Sequence, residues 1–133
     1  FQDLIGGQIS GFIDPILGSL QYHKNGMLRV VAVTSAQRTP NLPDVPTSIE
    51  QGIRNFEVIG WFGLMAPAGT PSATVSRLNR EINTLLKLPD MREKLAGLGL
   101  EAGGGTPEDF QKLIETDTQR YGEAIRRMGI KVD

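Results

Sequence analysis

Phe12-Ile13-Asp14-Pro15-Ile16 is the stretch best placed to do chemistry, because an apolar, strand-like run passes there into a helix start. A helix N-terminus offers backbone amides without acceptors and the positive end of the helix dipole, so it can hold a carboxylate or another small anion. In an open parallel sheet such a turn lies outside the carboxyl end of a strand, where ligand crevices form. Asp14 reads two ways, as the N-cap of the following helix with Pro15 at the first helical position, or as a ligand-orienting group. The two are compatible, since a capping Asp leaves the next amides near the crevice. An ionised Asp14 repels a carboxylate, so its part in a site is to orient the ligand or to bind a hydroxyl. Thr34-Ser35 closes a second strand, and its hydroxyls and amides can bond a ligand or a bridging water. The alternative is a turn that satisfies its own backbone.

Other groups are weaker candidates. Arg38 carries a fork that binds carboxylates bidentately, but it sits in a Pro-rich loop beside Asp44, and an ion pair inside that loop is expected. Trp61 and Phe62 either wall a cleft or pack in a core, the usual place for large aromatics. His23, the only histidine, lies near a predicted helix end, in a solvated or dipole-paired position. Gly103-Gly104-Gly105 lacks the Lys-Ser/Thr of a phosphate loop and the spacing of a dinucleotide fingerprint, and reads as a hinge or turn. No Ser-His-Asp order and no metal-ligand cluster stands out, so no catalytic, metal or cofactor residue is assigned.

Composition narrows the classes further. With 133 residues, 39% of them hydrophobic, the chain fits one compact domain with an ordinary core that buries roughly two-thirds of the unfolded surface. The 14 Lys+Arg against 15 Asp+Glu leave a net charge of −1, which offers no basic field for nucleic acid or an anionic membrane. The absence of Cys excludes disulfides, thiolate zinc and a Cys nucleophile. No apolar run approaches the roughly 20 residues that span a bilayer. No signal peptide is present in the chain. Phe1-Gln2-Asp3-Leu4-Ile5 has no start Met and looks like the middle of a helix, so a truncated chain is expected.

The elements that must position these residues follow from periodicity. Residues 1–5 read as a helix end stopped by Gly6-Gly7. Residues 8–13 read as a short buried strand, 15–25 as a helix closed by Asn25-Gly26, and 28–34 as the clearest strand, a β-branched run fit for a parallel sheet. Three prolines between Ser35 and Pro46 make an ordered loop or a linker. Thr47-Ser48-Ile49-Glu50 is a capping box that starts a short helix ending at Gly52. Residues 56–65 read as a long strand interrupted by two glycines. Thr70-Pro71 opens a strong helix with Val75, Leu78, Ile82, Leu85 and Leu86 on one face. A shorter helix follows Pro89-Asp90, and Thr106-Pro107-Glu108-Asp109 caps the last one. The predicted class is α/β with mainly parallel sheets, in which 70–86 and 106–128 are the two longest helices.

Several loop motifs then recur in one register. Leu4-Ile5-Gly6-Gly7-Gln8-Ile9, Val33-Thr34-Ser35-Ala36-Gln37-Arg38 and Leu42-Pro43-Asp44-Val45-Pro46-Thr47 are followed by Trp61-Phe62-Gly63-Leu64, Ala66-Pro67-Ala68-Gly69-Thr70-Pro71 and Gly104-Gly105-Thr106-Pro107-Glu108. Together they resemble the periplasmic substrate-binding proteins of the tripartite tricarboxylate transporter (Bug) family over essentially the whole chain. The resemblance implies the C-terminal portion of a two-lobed, type II periplasmic-binding-protein fold. It implies a division into a second-lobe segment (1–57), a crossover strand (58–65) and a C-terminal helical segment returning to the first lobe (66–133). It further implies a non-enzymatic periplasmic receptor that captures a small carboxylate, with no cofactor, and delivers it to a membrane permease. The ligand-binding residues expected on that reading are Phe12, Asp14, Pro15, Ile16, Thr34, Ser35 and Trp61.

The rival reading is a small α/β anion-binding regulatory or enzymatic fragment, which one His and no Cys equip poorly; a third is an interaction module built on exposed helix faces. Because 56–65 carries more large apolar residues than one sheet face can hide, the chain is also expected to self-associate as a domain-swapped homodimer across Gly60–Gly63 and to bind carboxylates weakly by itself.

Overall fold

The computed structural model describes residues 1–131. Its helices are α1 (Gln2–Ile5), α2 (Ile16–Lys24), α3 (Ser72–Leu85), α4 (Pro89–Gly97) and α5 (Pro107–Met128). The two longest, α3 and α5, fall where the apolar periodicity placed them. The chain divides into two compact units. Phe1–Phe62 with Pro89–Ala102 form the first; Gly63–Leu88 and the chain from Gly103 onward form the second. Within this division α4 and the residues after it, to Ala102, pack with the first unit.

The first unit is organised around a small core of Leu20, Leu42 and Val45, against which Ile16, Val30 and Val33 pack. Leu20 is only 1% exposed. The Pro-rich segment 35–46 is an ordered loop, because it lends Leu42 and Val45 to that core. The Leu42 amide donates to the Thr39 carbonyl and the Val45 amide to that of Leu42, which coils the loop tightly. Gly99, at the end of α4, completes the packing. Its φ is +78°, and a Cβ there would sit 3.3 Å from both Ile16 and Leu20 side chains, so only glycine fits both the turn and the contact. A Thr39 to Glu101 hydrogen bond of 3.2 Å ties the same segment to the loop.

The predicted strands 8–13, 28–34 and 56–65 do not form as strands among the described residues. What remains of a sheet is a parallel bridge between Val33 and Thr47. The Val33 amide donates to the Pro46 carbonyl at 3.0 Å, and the Ser48 amide donates to the Val33 carbonyl at 2.8 Å. On the other side the Val58 amide donates to Thr34 at 3.1 Å. Residues 33–34 are thus flanked on two sides, as a central strand would be, but only for one or two residues each way. A β-branched run supplies side chains that suit a sheet; a strand exists only where a ladder partner lies alongside.

The predicted capping box at 47–50 is present: the Thr47 amide donates to Glu50 at 2.7 Å and the Glu50 amide donates to Thr47 Oγ1 at 3.0 Å. It closes a turn and not a helix. Gly52, at φ +93°, enters the left-handed region as soon as one helical-type bond, Gln51 to Thr47, has formed.

The second unit rests on helix ends. Thr106 and Asp109 make a full capping box at the start of α5, Pro107 occupies the first turn, and Gly129 (φ 64°) ends the helix in the left-handed conformation. Asn83 clamps the Gly105 peptide from both sides, its Nδ2 donating to the carbonyl at 2.9 Å and its Oδ1 accepting from the amide at 3.0 Å; Asn79 adds a second donor at 3.0 Å. No described residue of this unit is buried. The whole chain exposes 10544 Å², about half of what an unfolded chain of this mass exposes, where two-thirds burial was expected.

Two outcomes follow. Leu20→Ala should cost about 2–5 kcal/mol, the range for an emptied core leucine, measured by urea denaturation of the first unit's signal. Thr106→Ala should lower the stability of α5 by about 1 kcal/mol, read by circular dichroism. The Thr106 amide, then its hydroxyl, hold the Asp109 carboxyl below its ordinary value of 3.8. The capping contribution is therefore complete above that value and should fade as pH falls through the lower folded one.

Candidate functional site

The start of α2 is built from a short turn. Pro15 has φ −58° and ψ 136°, so it is the N-cap, and the helix begins at Ile16. This displaces the predicted cap by one residue: Pro15 is not the first helical residue, and Asp14 makes no capping bond, because its carboxylate falls one position too early to meet the first amides. Instead the Asp14 carboxylate folds back over the first turn. A Cβ on Gly18 would lie 2.7 Å from Asp14 Oδ2 and 3.1 Å from the Phe1 ring, so the missing side chain leaves the room the carboxylate occupies. Oδ2 is buried and has no hydrogen-bond partner. The Gly18 amide donates to the Pro15 carbonyl at 3.0 Å; those of Ile16 and Leu17, ahead of it, have no acceptor within the helix by geometry.

Phe12 belongs to an aromatic stack and not to a strand end. Its ring meets Phe1 edge-on at 5.2 Å, and Phe1 stacks on Tyr22 at 4.6 Å. These rings pin the chain before Asp14 to the last turn of α2. Trp61 is about one-third exposed and Phe62 largely exposed.

Thr34 and Ser35 spend their hydroxyl protons on their own backbone. Thr34 Oγ1 donates to the Val58 carbonyl and Ser35 Oγ to that of Gln37, both at 2.6 Å. A hydroxyl has one proton, so in this arrangement both can accept from a ligand but cannot donate to a carboxylate. Arg38 pairs with Glu50 at 2.9 Å and not with Asp44, and its other arm donates to the Pro43 carbonyl at 3.2 Å. The capping box fixes the Glu50 carboxylate where Arg38 can reach it; Arg38 first, then the Thr47 amide, hold that carboxyl below its ordinary value. His23 accepts from the Val30 amide through Nδ1 at 3.2 Å, a bond that closes the turn after α2.

The structure therefore brings Phe12, Asp14, Pro15 and Ile16 together at one helix start and places Thr34 and Ser35 with Val58 and Gln37. Sequence reasoning missed Gly18, Phe1 and Tyr22. A glycine in the first turn of an amphipathic pattern was the available signal, since it marks a close approach. Among the described residues no group of three or more His, Asp or Glu could hold a metal ion, and no helix is long and apolar enough to cross a membrane. What the turn can do is offer two amides to an anionic oxygen.

Comparison with known proteins matches residues 1–130 to the model of the tripartite tricarboxylate transporter family receptor. A protein of the tcbD-tcbE intergenic region of Pseudomonas sp. (strain P51) is 40% identical over 92% of this chain and 37% of its own length. One from the clcB-clcD intergenic region of Pseudomonas knackmussii is 37% identical over 92% of this chain and 73% of its own. Protein BugT of Bordetella pertussis is 33% identical over 98% of this chain and 40% of its own length. Among solved structures, R. palustris Rpa4515 with adipate superposes with a TM-score of 0.88 at 35% identity, covering 97% of this chain and 43% of that one. The periplasmic binding protein BugD gives 0.78 at 30% identity, over 98% and 44%. The chain spans well under half the length of most of these proteins, and its fold is a portion of the periplasmic-binding-protein fold. It belongs to the receptor family of the tripartite tricarboxylate transporters.

Proposed function

We propose that this chain is part of an extracytoplasmic solute receptor, not an enzyme, that captures a small carboxylate in the periplasm and delivers it to a tripartite tricarboxylate transporter permease. The observation that carries the reading is the start of α2, where the Ile16 and Leu17 amides lack helical acceptors and a buried Asp14 carboxylate oxygen, lying against Gly18, has no hydrogen-bond partner. The amides, at the positive end of the helix dipole, receive a ligand carboxylate. Asp14 accepts from a ligand hydroxyl or a protonated carboxyl and so sets its orientation. Phe12, Pro15 and Trp61 supply apolar wall, and Thr34 and Ser35 accept from a ligand hydroxyl or a water. The solved relative with adipate supports a dicarboxylate as the class to try first, and the periplasmic relative supports the compartment. On this reading 1–57 is second-lobe material, 58–65 the crossover and 66–133 the return to the first lobe.

Titration of isotope-labelled protein with adipate, succinate and citrate, followed by amide NMR, tests the proposal. A dissociation constant on the order of 1 mM, worth about 4 kcal/mol, is expected, with shifts centred on 16–18. Gly18→Ala should weaken binding about tenfold by displacing the Asp14 carboxylate, while the gain in helix propensity of about 1 kcal/mol offsets the shift that the Phe1 ring must make, with circular dichroism as the check on the fold. Unmoved 16–18 resonances at tens of millimolar of all three acids would sink the reading.

A further inference from the structure

We propose that Asn25-Gly26, in the turn that ends α2, is a site of spontaneous covalent modification, where water converts Asn25 to aspartate and isoaspartate through a cyclic imide. Among the asparagines this one alone precedes a glycine; the others precede Leu42, Phe56, Arg80 and Thr84. With no Cβ on the glycine, its backbone nitrogen is open to approach by the carbonyl carbon of the Asn side chain. Asn25 and Gly26 are both exposed, and the Asn25 side chain makes no hydrogen bond among the described residues. Asn79 and Asn83, by contrast, have their side-chain amides tied to Gly105.

The chemistry balances within this one turn. Hydroxide takes the Gly26 amide proton, and the nitrogen bonds to Asn25 Cγ. The Cγ–Nδ2 bond breaks, and the leaving nitrogen takes a proton from water and departs as ammonia, which restores the hydroxide. Water then adds to one of the two imide carbonyls and cleaves its bond to nitrogen. Attack at the side-chain carbonyl gives aspartate; attack at the backbone carbonyl gives isoaspartate. The net change is amide plus water to acid plus ammonia.

The same turn gates the reaction. Asn25 stands at φ −85° and ψ 2°, and Gly26 at φ 69°. The Gly26 amide donates to the His23 carbonyl at 3.0 Å, so its proton is held and its nitrogen faces the helix. The Asn25 ψ must turn before that nitrogen can meet Cγ. The Met27 and Leu28 amides, donating to the Tyr22 carbonyl at 2.9 and 3.2 Å, resist the rotation. Modification therefore proceeds from the opened turn, and frayed helix ends open at small cost. Either product then hinders closure. Aspartate puts a negative charge at the negative end of the helix dipole, and isoaspartate inserts a methylene into the backbone beside the Gly26, Met27 and Leu28 bonds.

The chain kept at mildly alkaline pH, sampled over days and digested with trypsin, tests this. Cleavage after Lys24 and Arg29 releases 25–29, whose two acid forms separate by chromatography and carry the mass of an acid in place of an amide. Conversion should be confined to this peptide, should yield both forms, and should run about tenfold slower than in guanidinium chloride, where no turn has to open. In Gly26→Ala the strained left-handed residue opens the turn more readily, yet conversion should fall about tenfold because the methyl crowds the attacking nitrogen. A folded chain left unconverted while the unfolded one converts, equal rates folded and unfolded, or comparable conversion at the other asparagines would overturn the proposal. So would aspartate without isoaspartate, or conversion in Gly26→Ala as fast as in the parent chain.

Discussion

The hydrogen bonds that hold Val33 between Pro46 and Ser48 are the constraint on which the first unit depends. They close residues 35–46 into a loop whose Leu42 and Val45 reach Leu20. They set Thr47 and Ser48 in the interior, where the capping box then fixes Glu50 and, through it, Arg38. Thr34, one residue on, inherits the position from which it bonds Val58. A backbone bond of this kind contributes only about 1 kcal/mol net, but losing it would strand buried polar groups whose desolvation costs more. The apolar core and the hydrogen bonds are thus not alternatives: each keeps the other in place.

The second unit shows the opposite regime. With no described residue buried, α3 and α5 owe their form to local devices: the Thr106–Asp109 box, the Gly129 cap and the Asn83 clamp on Gly105. Helices of 14 and 22 residues can persist on such terms, although most helical stability in folded proteins comes from packing an apolar face. Their stripes, Leu78 and Leu85 on α3 and Tyr121 and Ile125 on α5, remain partly exposed.

The hydroxyls of Thr34 and Ser35 are already satisfied within the chain. Their protons are committed, whereas helix geometry leaves the Ile16 and Leu17 amides without acceptors. Asp14 is kept available by a neighbour that has no side chain, since any Cβ at Gly18 would occupy its carboxylate's place.

What could be read from the residues was whatever depends on near neighbours in the chain. The Thr106 and Thr47 boxes, the apolar stripes of α3 and α5 and the glycine stops all arise within a few residues, so side-chain type and spacing determined them. The motif series determined the family for the same reason, being a matter of order and register. What only the tertiary structure decided was pairing over distance. Whether 28–34 becomes a strand depends on a ladder partner; Arg38 found Glu50 and not Asp44 because a capping box twelve residues away had oriented that carboxylate. Asp14 lies over Gly18 and not at its expected cap, in a segment where Phe1 meets Phe12 on one side and stacks on Tyr22 on the other. Such outcomes depend on which surfaces meet, and a linear pattern of residue types specifies which surfaces are apolar without specifying what each will touch.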